Sequence, residues 1–379
     1  MAQKLKIGIV GYPTYGGSGV VATELGKALA DKGHEIHFIT YSQPVRLGAM
    51  KKNIRYHEVN VSDYPLFLYP PYELVLASKM VDVVKYEKLD LLHVHYAIPH
   101  ASAAITAKQV LADEGINLPV ITTLHGTDIT LLGKDASFEP VISFAINKSD
   151  AVTAVSQSLR LDTYKLFGIN REIEVIPNFI NIEKLDFPNK EETRKEYAPN
   201  GEKILVHISN FRPVKRVLDV VEIFARVRAE MPAKLLFVGD GPDRTKAEAL
   251  CRELKICDDV IFLGSVKNPT EALSVADLFL LPSESESFGL AALEAMACEV
   301  PVISTNTGGL PEVNRHGVTG MMSHVGDVED MAKNAKYLLS DETRLAKFKL
   351  KARERAIEFS IDKILPQYEA LYNSVLEIV

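Results

Sequence analysis

Short, continuously apolar runs recur along this chain in two series, each run separated from the next by a longer stretch of helical pattern. The first series is KIGIV (6–10), EIHFIT (35–40), LLHVHY (91–96), VITTLH (120–125), AVTAVS (151–156) and IEVIPN (173–178). The second is KILVHIS (203–209), AKLLFVGD (233–240), VIFLGS (260–265), LFLLPS (278–283) and PVIST (301–305). A strand that is apolar at every position, rather than at alternate ones, is buried on both faces, which is the habit of parallel sheets covered by helices. Two series of alternating strand and helix predict two doubly wound α/β domains, with ligands at the carboxyl ends of the strands. The charged, turn-rich stretch NKEETRKEYAPNGEK (189–203) interrupts the rhythm, and 379 residues suit two domains of ordinary size. We expect an N-terminal domain over 1–178 and a C-terminal domain over 179–356, with a hinge near Pro177 to Asp186. The tail IDKILPQYEALYNSVLEIV has a helical period, and a helix over about 357–379 could return to the first domain or stay with the second.

Charge and composition exclude several classes. Lys plus Arg number 43 against 50 Asp plus Glu, a formal charge of −7, so no global field draws the protein to nucleic acid or anionic lipid. Any anionic ligand must meet a local site. The apolar run at the start is too short for a signal peptide, and no later segment reaches the roughly 18 to 20 apolar residues of a membrane span. A cytoplasmic protein without stable membrane insertion is therefore expected. Cys251, Cys257 and Cys298 are odd in number and lack CxxC spacing, which predicts reduced thiols rather than disulfides or a zinc site.

Two glycine-containing segments draw attention as ligand sites. Gly17-Ser18-Gly19-Val20-Val21-Ala22 fits the GxGxxA pattern of dinucleotide-binding folds. Against that reading, Gly11 to Tyr15 lengthen the loop after the first strand, and EIHFIT is followed by Tyr41-Ser42-Gln43 rather than by an acidic residue for a ribose. What remains is a glycine-rich loop ahead of a helix over Val20 to Ala30, whose unpaired N–H groups and dipole suit an anion. A plain strand-to-helix turn is the structural alternative. In LPSESESFGLAALEAMACEVPVIST (281–305), Ser283, Ser285 and Ser287 are candidate caps, Phe288-Gly289-Leu290 opens a helix, and Pro301 stops it. Glu286 lies ahead of the first turn and Glu294 in the helix body, so they reach different parts of one ligand. An acidic residue ahead of a helix start also complements the dipole by itself.

Together these segments resemble the GT-B glycosyltransferases, and within them the retaining family 4 with its E-x7-E signature, here Glu286-SFGLAAL-Glu294. The resemblance extends over nearly the whole length, through the GGSG loop, HGTD (125–128), SNFRPVKR (209–216), VGDGPDR (238–244) and TGGLPE (307–312). It implies two Rossmann-like domains facing a central cleft. YPTYGGSGVVATELGKALA and HVHYAIPHASAAI resemble the subgroup that transfers N-acetylglucosamine from UDP-N-acetylglucosamine to L-malate in bacillithiol synthesis. By this resemblance, Glu286 contacts donor-sugar hydroxyls, Glu294 holds the uridine ribose, and His125 meets the sugar near the reacting carbon. Main-chain N–H groups of Phe288, Gly289 and Leu290 face the distal phosphate or the sugar, Lys215 the diphosphate, and the Val266 backbone the uracil. Gly17 and Ser18 line the cleft, and Tyr96 faces the acceptor. In one departure, Ser209-Asn210 stands where many members have Gly-Arg; Asn210 cannot neutralise phosphate, and Arg212 is expected to take over that charge.

A transferase of this kind stabilises the departing diphosphate with a metal or with fixed charge. No Asp-x-Asp occurs in the sequence, and two helix starts with Lys215 and Arg212 supply positive potential, so neither a metal nor another cofactor is expected. His93 and His95 share a strand face as a metal pair would, but no third ligand is evident. Malate is a dianion, and the helix start at Gly17 is the candidate to receive it. The competing functions are transfer to a lipid-linked, polysaccharide or polyol phosphate acceptor, a UDP-sugar epimerase of the same fold, and a nicotinamide-dependent oxidoreductase resting on GxGxxA alone. A homo-oligomer remains open.

Overall fold

The computed structural model describes residues 4–378 apart from 15, 49, 50, 62–67, 132, 134, 186 and 267, so Tyr15 of the glycine loop and Asp186 of the expected hinge lie outside the described residues. The chain divides into two compact units, one formed by Met1–Asn178 with Ile361–Val379 and the other by Phe179–Ser360.

The first unit runs β1 (Lys6–Val10), α1 (Gly17–Asp31), β2 (Glu35–Thr40), β3 (Ile54–Glu58), α2 (Tyr72–Glu87), β4 (Leu91–His95), α3 (Ser102–Asp113), β5 (Val120–Leu124), α4 (Glu139–Lys148), β6 (Ala151–Ala154), α5 (Gln157–Leu166) and β7 (Ile173–Val175). Its sheet is parallel throughout, in the order β3-β2-β1-β4-β5-β6-β7. Every residue of β4 and β5 is buried, the condition that unbroken apolar runs anticipate. On one face Leu76, Met80 and Val84 of α2 and Leu111 of α3 join Ile39, Leu92 and Val94 in a common core, each such side chain contributing about 1.5–3 kcal/mol. The strand β3 is absent from the sequence reading because IRYHE is an edge strand with one buried residue, Ile54, and so has no apolar run to detect.

The second unit runs α6 (Lys190–Tyr197), β8 (Lys203–Ile208), α7 (Val217–Arg228), β9 (Ala233–Val238), α8 (Arg244–Glu253), β10 (Val260–Gly264), α9 (Thr270–Ser274), β11 (Leu278–Leu281), α10 (Leu290–Ala297), β12 (Val302–Thr305), α11 (Leu310–Val313), β13 (Gly320–Ser323), α12 (Val328–Leu339) and α13 (Glu342–Glu358). Its parallel sheet has the order β10-β9-β8-β11-β12-β13. Phe224, Leu235, Phe237, Leu278 and Leu338 anchor its core. The polar stretch read as an interruption holds α6, a helix with only Thr193 buried. The edge strand β13, GMMS, is too short for an apolar pattern to register.

The chain then returns to the first unit as α14 (Ile361–Ile378). Its Tyr368 and Tyr372 are fully buried, and the Tyr372 hydroxyl lies 2.7 Å from His93 Nδ1 on β4. Among the described residues no helix is long and apolar enough to cross a membrane.

In each sheet the strand order reverses once, between β1 and β4 and between β8 and β11. Loops leaving the carboxyl ends of such neighbours turn toward opposite faces and leave an opening between them. Because α14 is tied to the sheet through a buried hydrogen bond, Tyr372→Phe strands one nitrogen of His93. We expect the urea midpoint to fall by the equivalent of about 1–3 kcal/mol, the cost of an unsatisfied buried polar group; an unchanged midpoint would show that bond to be dispensable.

Candidate functional site

In the second unit, the loops after β8 and β11 carry Lys215 and Glu286. The Lys215 ammonium is paired with Glu286 Oε1, the two side chains being 22% and 14% exposed. Ser283 Oγ donates to the same carboxylate oxygen at 3.1 Å. The end of β12 and the residues after it hold this loop from behind: Thr305 Oγ1 donates to Ser283 O (2.6 Å), Thr307 Oγ1 to Glu284 O (3.2 Å) and Gly309 N–H to Glu286 O (2.8 Å). Glu284 N–H donates to Val214 O at 2.8 Å and so joins the two loops. At Gly308, with φ of +57°, an added Cβ would lie 2.0 Å from Glu286 O, so only glycine lets the TGG turn approach the glutamate backbone this closely.

The Lys215 loop is set from below by a buried histidine. His207 Nδ1 lies 2.8 Å from Leu280 O and Nε2 lies 2.7 Å from Ser209 Oγ. A carbonyl only accepts, so Nδ1 carries the proton and Nε2 accepts from the serine hydroxyl. Ser209 Oγ in turn accepts from Phe211 N–H at 3.2 Å, and Phe211 O accepts from Asp243 N–H at 3.0 Å, which brings the VGDGPDR turn against the same loop. Burial pushes the His207 pKa down to about 4 and keeps the ring neutral.

The helix α10 begins at Leu290 with Gly289, at φ 95°, as its N-cap. Ser283, Ser285 and Ser287 therefore do not occupy the capping position the sequence suggested, and Ser283 is engaged by Glu286 instead. The helix ends at Ala297, before Pro301, which directly precedes β12. Phe288 is buried with its ring 5.6 Å from that of Phe359, leaving its backbone, with Gly289 and Leu290, at the helix start. Glu294 sits one turn into α10, half-buried. Arg212 is exposed immediately before the short turn Pro213–Lys215, and Val266 is exposed just beyond β10.

In the first unit, the loops after β1 and β4 bring Ser18 Oγ and Tyr96 OH to 2.7 Å. Gly17 is exposed at the start of α1. An added Cβ on Gly19 would lie 2.4 Å from Thr14 O and 2.5 Å from Tyr12 O, so the second glycine of GSG lets the loop fold back on its own helix. Tyr96 adopts φ 87°, a conformation costly for a non-glycine residue and frequent at ligand sites. Its N–H donates to Thr123 O at 2.9 Å, and its ring lies 5.3 Å from both Tyr12 and His125.

His125 Nε2 lies 2.8 Å from His95 Nδ1, and His100 Nδ1 donates to His95 O at 2.6 Å. The remaining Nε2 atoms of His95 and His100 are buried without a hydrogen-bond partner among the described residues. Asp128 accepts from Ala97 N–H (2.7 Å) and Gly126 N–H (3.1 Å), fastening the Tyr96 turn to the His125 turn. Burial carries His125 down to about 3, His100 to about 4 and His95 well below the ordinary imidazole value. Burial also lifts Asp128 to about 6 despite the backbone N–H groups that donate to it.

Paired loops of this kind on two Rossmann-type sheets have known counterparts. The family model for glycosyl transferases group 1 matches residues 189–355, and that for glycosyltransferase family 4 matches residues 15–184. The chain is 53% identical over 377 residues to an N-acetyl-alpha-D-glucosaminyl L-malate synthase of Bacillus anthracis, covering 99% of this chain and 98% of that one. This chain belongs to the family 4 glycosyltransferases. A D-inositol 3-phosphate glycosyltransferase of Thermobispora bispora is 27% identical over 96% of this chain and 91% of its own. Among solved structures, Anabaena Alr3699/HepE in complex with UDP-glucose superposes with a TM-score of 0.81 at 20% identity, over 98% of this chain and 100% of that one. The glycosyltransferase thus has the GT-B fold of two Rossmann-like domains.

For this glycosyltransferase the structure brings Lys215 together with Glu286, and Ser18 together with Tyr96; His125 joins the second group through the Tyr96 ring. Arg212 and Val266 stand on the loops after β8 and β10, and Glu294 stands on α10. Residues given no role from sequence supply the scaffolding: Thr305, Gly309, His207, Ser209, His100 and Asp128. The motifs HGTD, SNFRPVKR and TGGLPE contain Asp128, Ser209 and Gly309, so for these three the available signal was the motif rather than any single residue. A pH dependence follows. His93 (about 3), His95, His100 and His125 bind protons more readily unfolded than folded, so their stabilisation is full above about pH 6.5 and is lost as pH falls toward 4. Asp128, raised to about 6, acts in the opposite direction but is one group against four. We expect a lower urea midpoint at pH 5 than at pH 7; equal midpoints would contradict neutral buried imidazoles.

Proposed function

We propose that this glycosyltransferase transfers N-acetylglucosamine from UDP-N-acetylglucosamine to the hydroxyl of L-malate with retention of anomeric configuration, the opening step of bacillithiol synthesis, in the cytoplasm. The observation that carries this reading is the 53% identity, spread over 99% of the chain, with a synthase named for that product. In this reading the second unit holds the donor. Lys215, Arg212 and the main-chain N–H groups of Phe288, Gly289 and Leu290 face the diphosphate, where fixed donors act without reorganising as charge develops. Glu286, already oriented by Lys215 and Ser283, accepts from sugar hydroxyls. Glu294 takes the ribose and the Val266 backbone the uracil.

The first unit receives malate at Gly17, Ser18 and Tyr96. During transfer the bond from the anomeric carbon to the β-phosphate oxygen breaks, a bond to the malate oxygen forms on the same face, and the departing phosphate oxygen takes the hydroxyl proton. The neutral His125 offers a hydrogen bond near the reacting carbon rather than a positive charge. Fixed charge replaces a metal in this scheme.

Purified protein incubated with UDP-N-acetylglucosamine is expected to release UDP and form a product of the glucosaminyl-malate mass only when L-malate is present, and to do so in EDTA. Lys215→Ala and Glu286→Gln should each lower kcat/KM by about 10²–10³-fold. Faster UDP release with inositol phosphate or a lipid acceptor, or activity that EDTA abolishes and magnesium restores, would overturn the acceptor or the metal-free assignment respectively.

A further inference from the structure

The outer edge of the first sheet carries a polar cluster that belongs to neither group described above. His37 lies on β2 and His57 on β3; the register pairs His37 with Arg55 and Ile39 with His57. Side chains two apart share a face, so both imidazoles project to the side that α2 covers. Their rings stack at 5.2 Å with 11° between planes, and His37 Nδ1 lies 2.9 Å from His57 Nε2. Glu87, the last residue of α2, brings a carboxylate oxygen within 4.8 Å of one ring nitrogen of each histidine.

We infer that His37, His57 and Glu87 form a binding site for a divalent transition-metal ion of the zinc class. Three features carry this. First, His37 Nε2 lies 3.2 Å from Glu35 Oε1, and a carboxylate only accepts, so the proton sits on Nε2 and Nδ1 turns its lone pair toward His57. A carboxylate behind the imidazole in this manner is the usual orienting partner of a metal-bound histidine. Second, two imidazoles with one carboxylate suit zinc, cobalt or nickel better than magnesium or calcium, which prefer oxygen alone. Third, the His37 side chain is fully buried while His57 and Glu87 are half-buried, so an ion would have protein on one side and an entry path with room for water on the other.

The bond between the rings needs one proton, on His57 Nε2; the ion takes its place and that proton goes to solvent. Burial lowers the pKa of both histidines, which leaves them neutral and ready to coordinate near pH 7. Arg55 Nε lies 3.9 Å from Glu87 Oε2 and 3.2 Å from Glu35 Oε1, so on binding the guanidinium keeps Glu35 and yields Glu87. The ion would fasten the edge strand β3 to β2 and to the end of α2.

The test uses the full chain, stripped with EDTA and then freed of it. Calorimetric titration with zinc chloride should show a stoichiometric site, and cobalt(II) should give visible d–d absorption that zinc abolishes. His57→Ala and Glu87→Gln should each weaken zinc by about tenfold or more, and Glu35→Gln, which removes only the orienting carboxylate, by about 10–100-fold. His57→Gln keeps a polar side chain at the ring position, and near-ultraviolet circular dichroism reports whether each variant folds. Wild-type protein without a stoichiometric site, or cobalt spectra unchanged in folded His57→Gln, would overturn the assignment.

Discussion

Where the strand order of a parallel sheet reverses, the loops after two adjacent strands part toward opposite faces, and no connection covers the carboxyl ends between them. This molecule has one such place in each unit, between β1 and β4 and between β8 and β11. Ser18 and Tyr96 issue from the first pair of strands, Lys215 and Glu286 from the second. Each pair is separated by about 70 residues or more in sequence and meets because the reversal leaves its loops as neighbours. The same openings receive the starts of α1 and α10, whose free N–H groups favour an anion.

Holding a carboxylate and an ammonium at such an opening requires loops that do not drift. In the second unit the backbone carbonyls of Ser283, Glu284 and Glu286 are each claimed by a donor from the end of β12 or the segment after it. The first unit uses Asp128 in the same capacity, with two backbone N–H groups from separate turns on one carboxylate. Buried neutral histidines complete both supports. A neutral imidazole offers one donor and one acceptor, so His207 can link a strand carbonyl to a loop hydroxyl inside an apolar sheet without leaving a charge unsolvated. His95 and His100 differ in having a buried nitrogen without a partner among the described residues, beside the strained Tyr96.

The central strands were legible because burial on both faces leaves an unbroken apolar run, as in LLHVH and VITTL. The edge strands β3 and β13 were not, since β3 is solvated along part of its length and keeps polar residues, and β13 is too short to show a pattern. Glycines were easy to see and easy to misassign. Gly19 matches a dinucleotide pattern, yet its place is dictated by the carbonyls of Tyr12 and Thr14, and the serines before α10 look like caps although Gly289 holds that position.

The sequence alone determined the class of fold, the two-fold repetition of strand and helix, and the motifs that mark a family 4 glycosyltransferase, because these depend on local pattern and composition. Tertiary structure decided which residues meet. Whether Ser283 caps a helix or orients Glu286, whether His207 sits free or carries a proton toward Leu280, and which unit the last helix joins all rest on contacts between distant segments. Such contacts arise from strand order and loop direction, which leave no periodic trace in the chain.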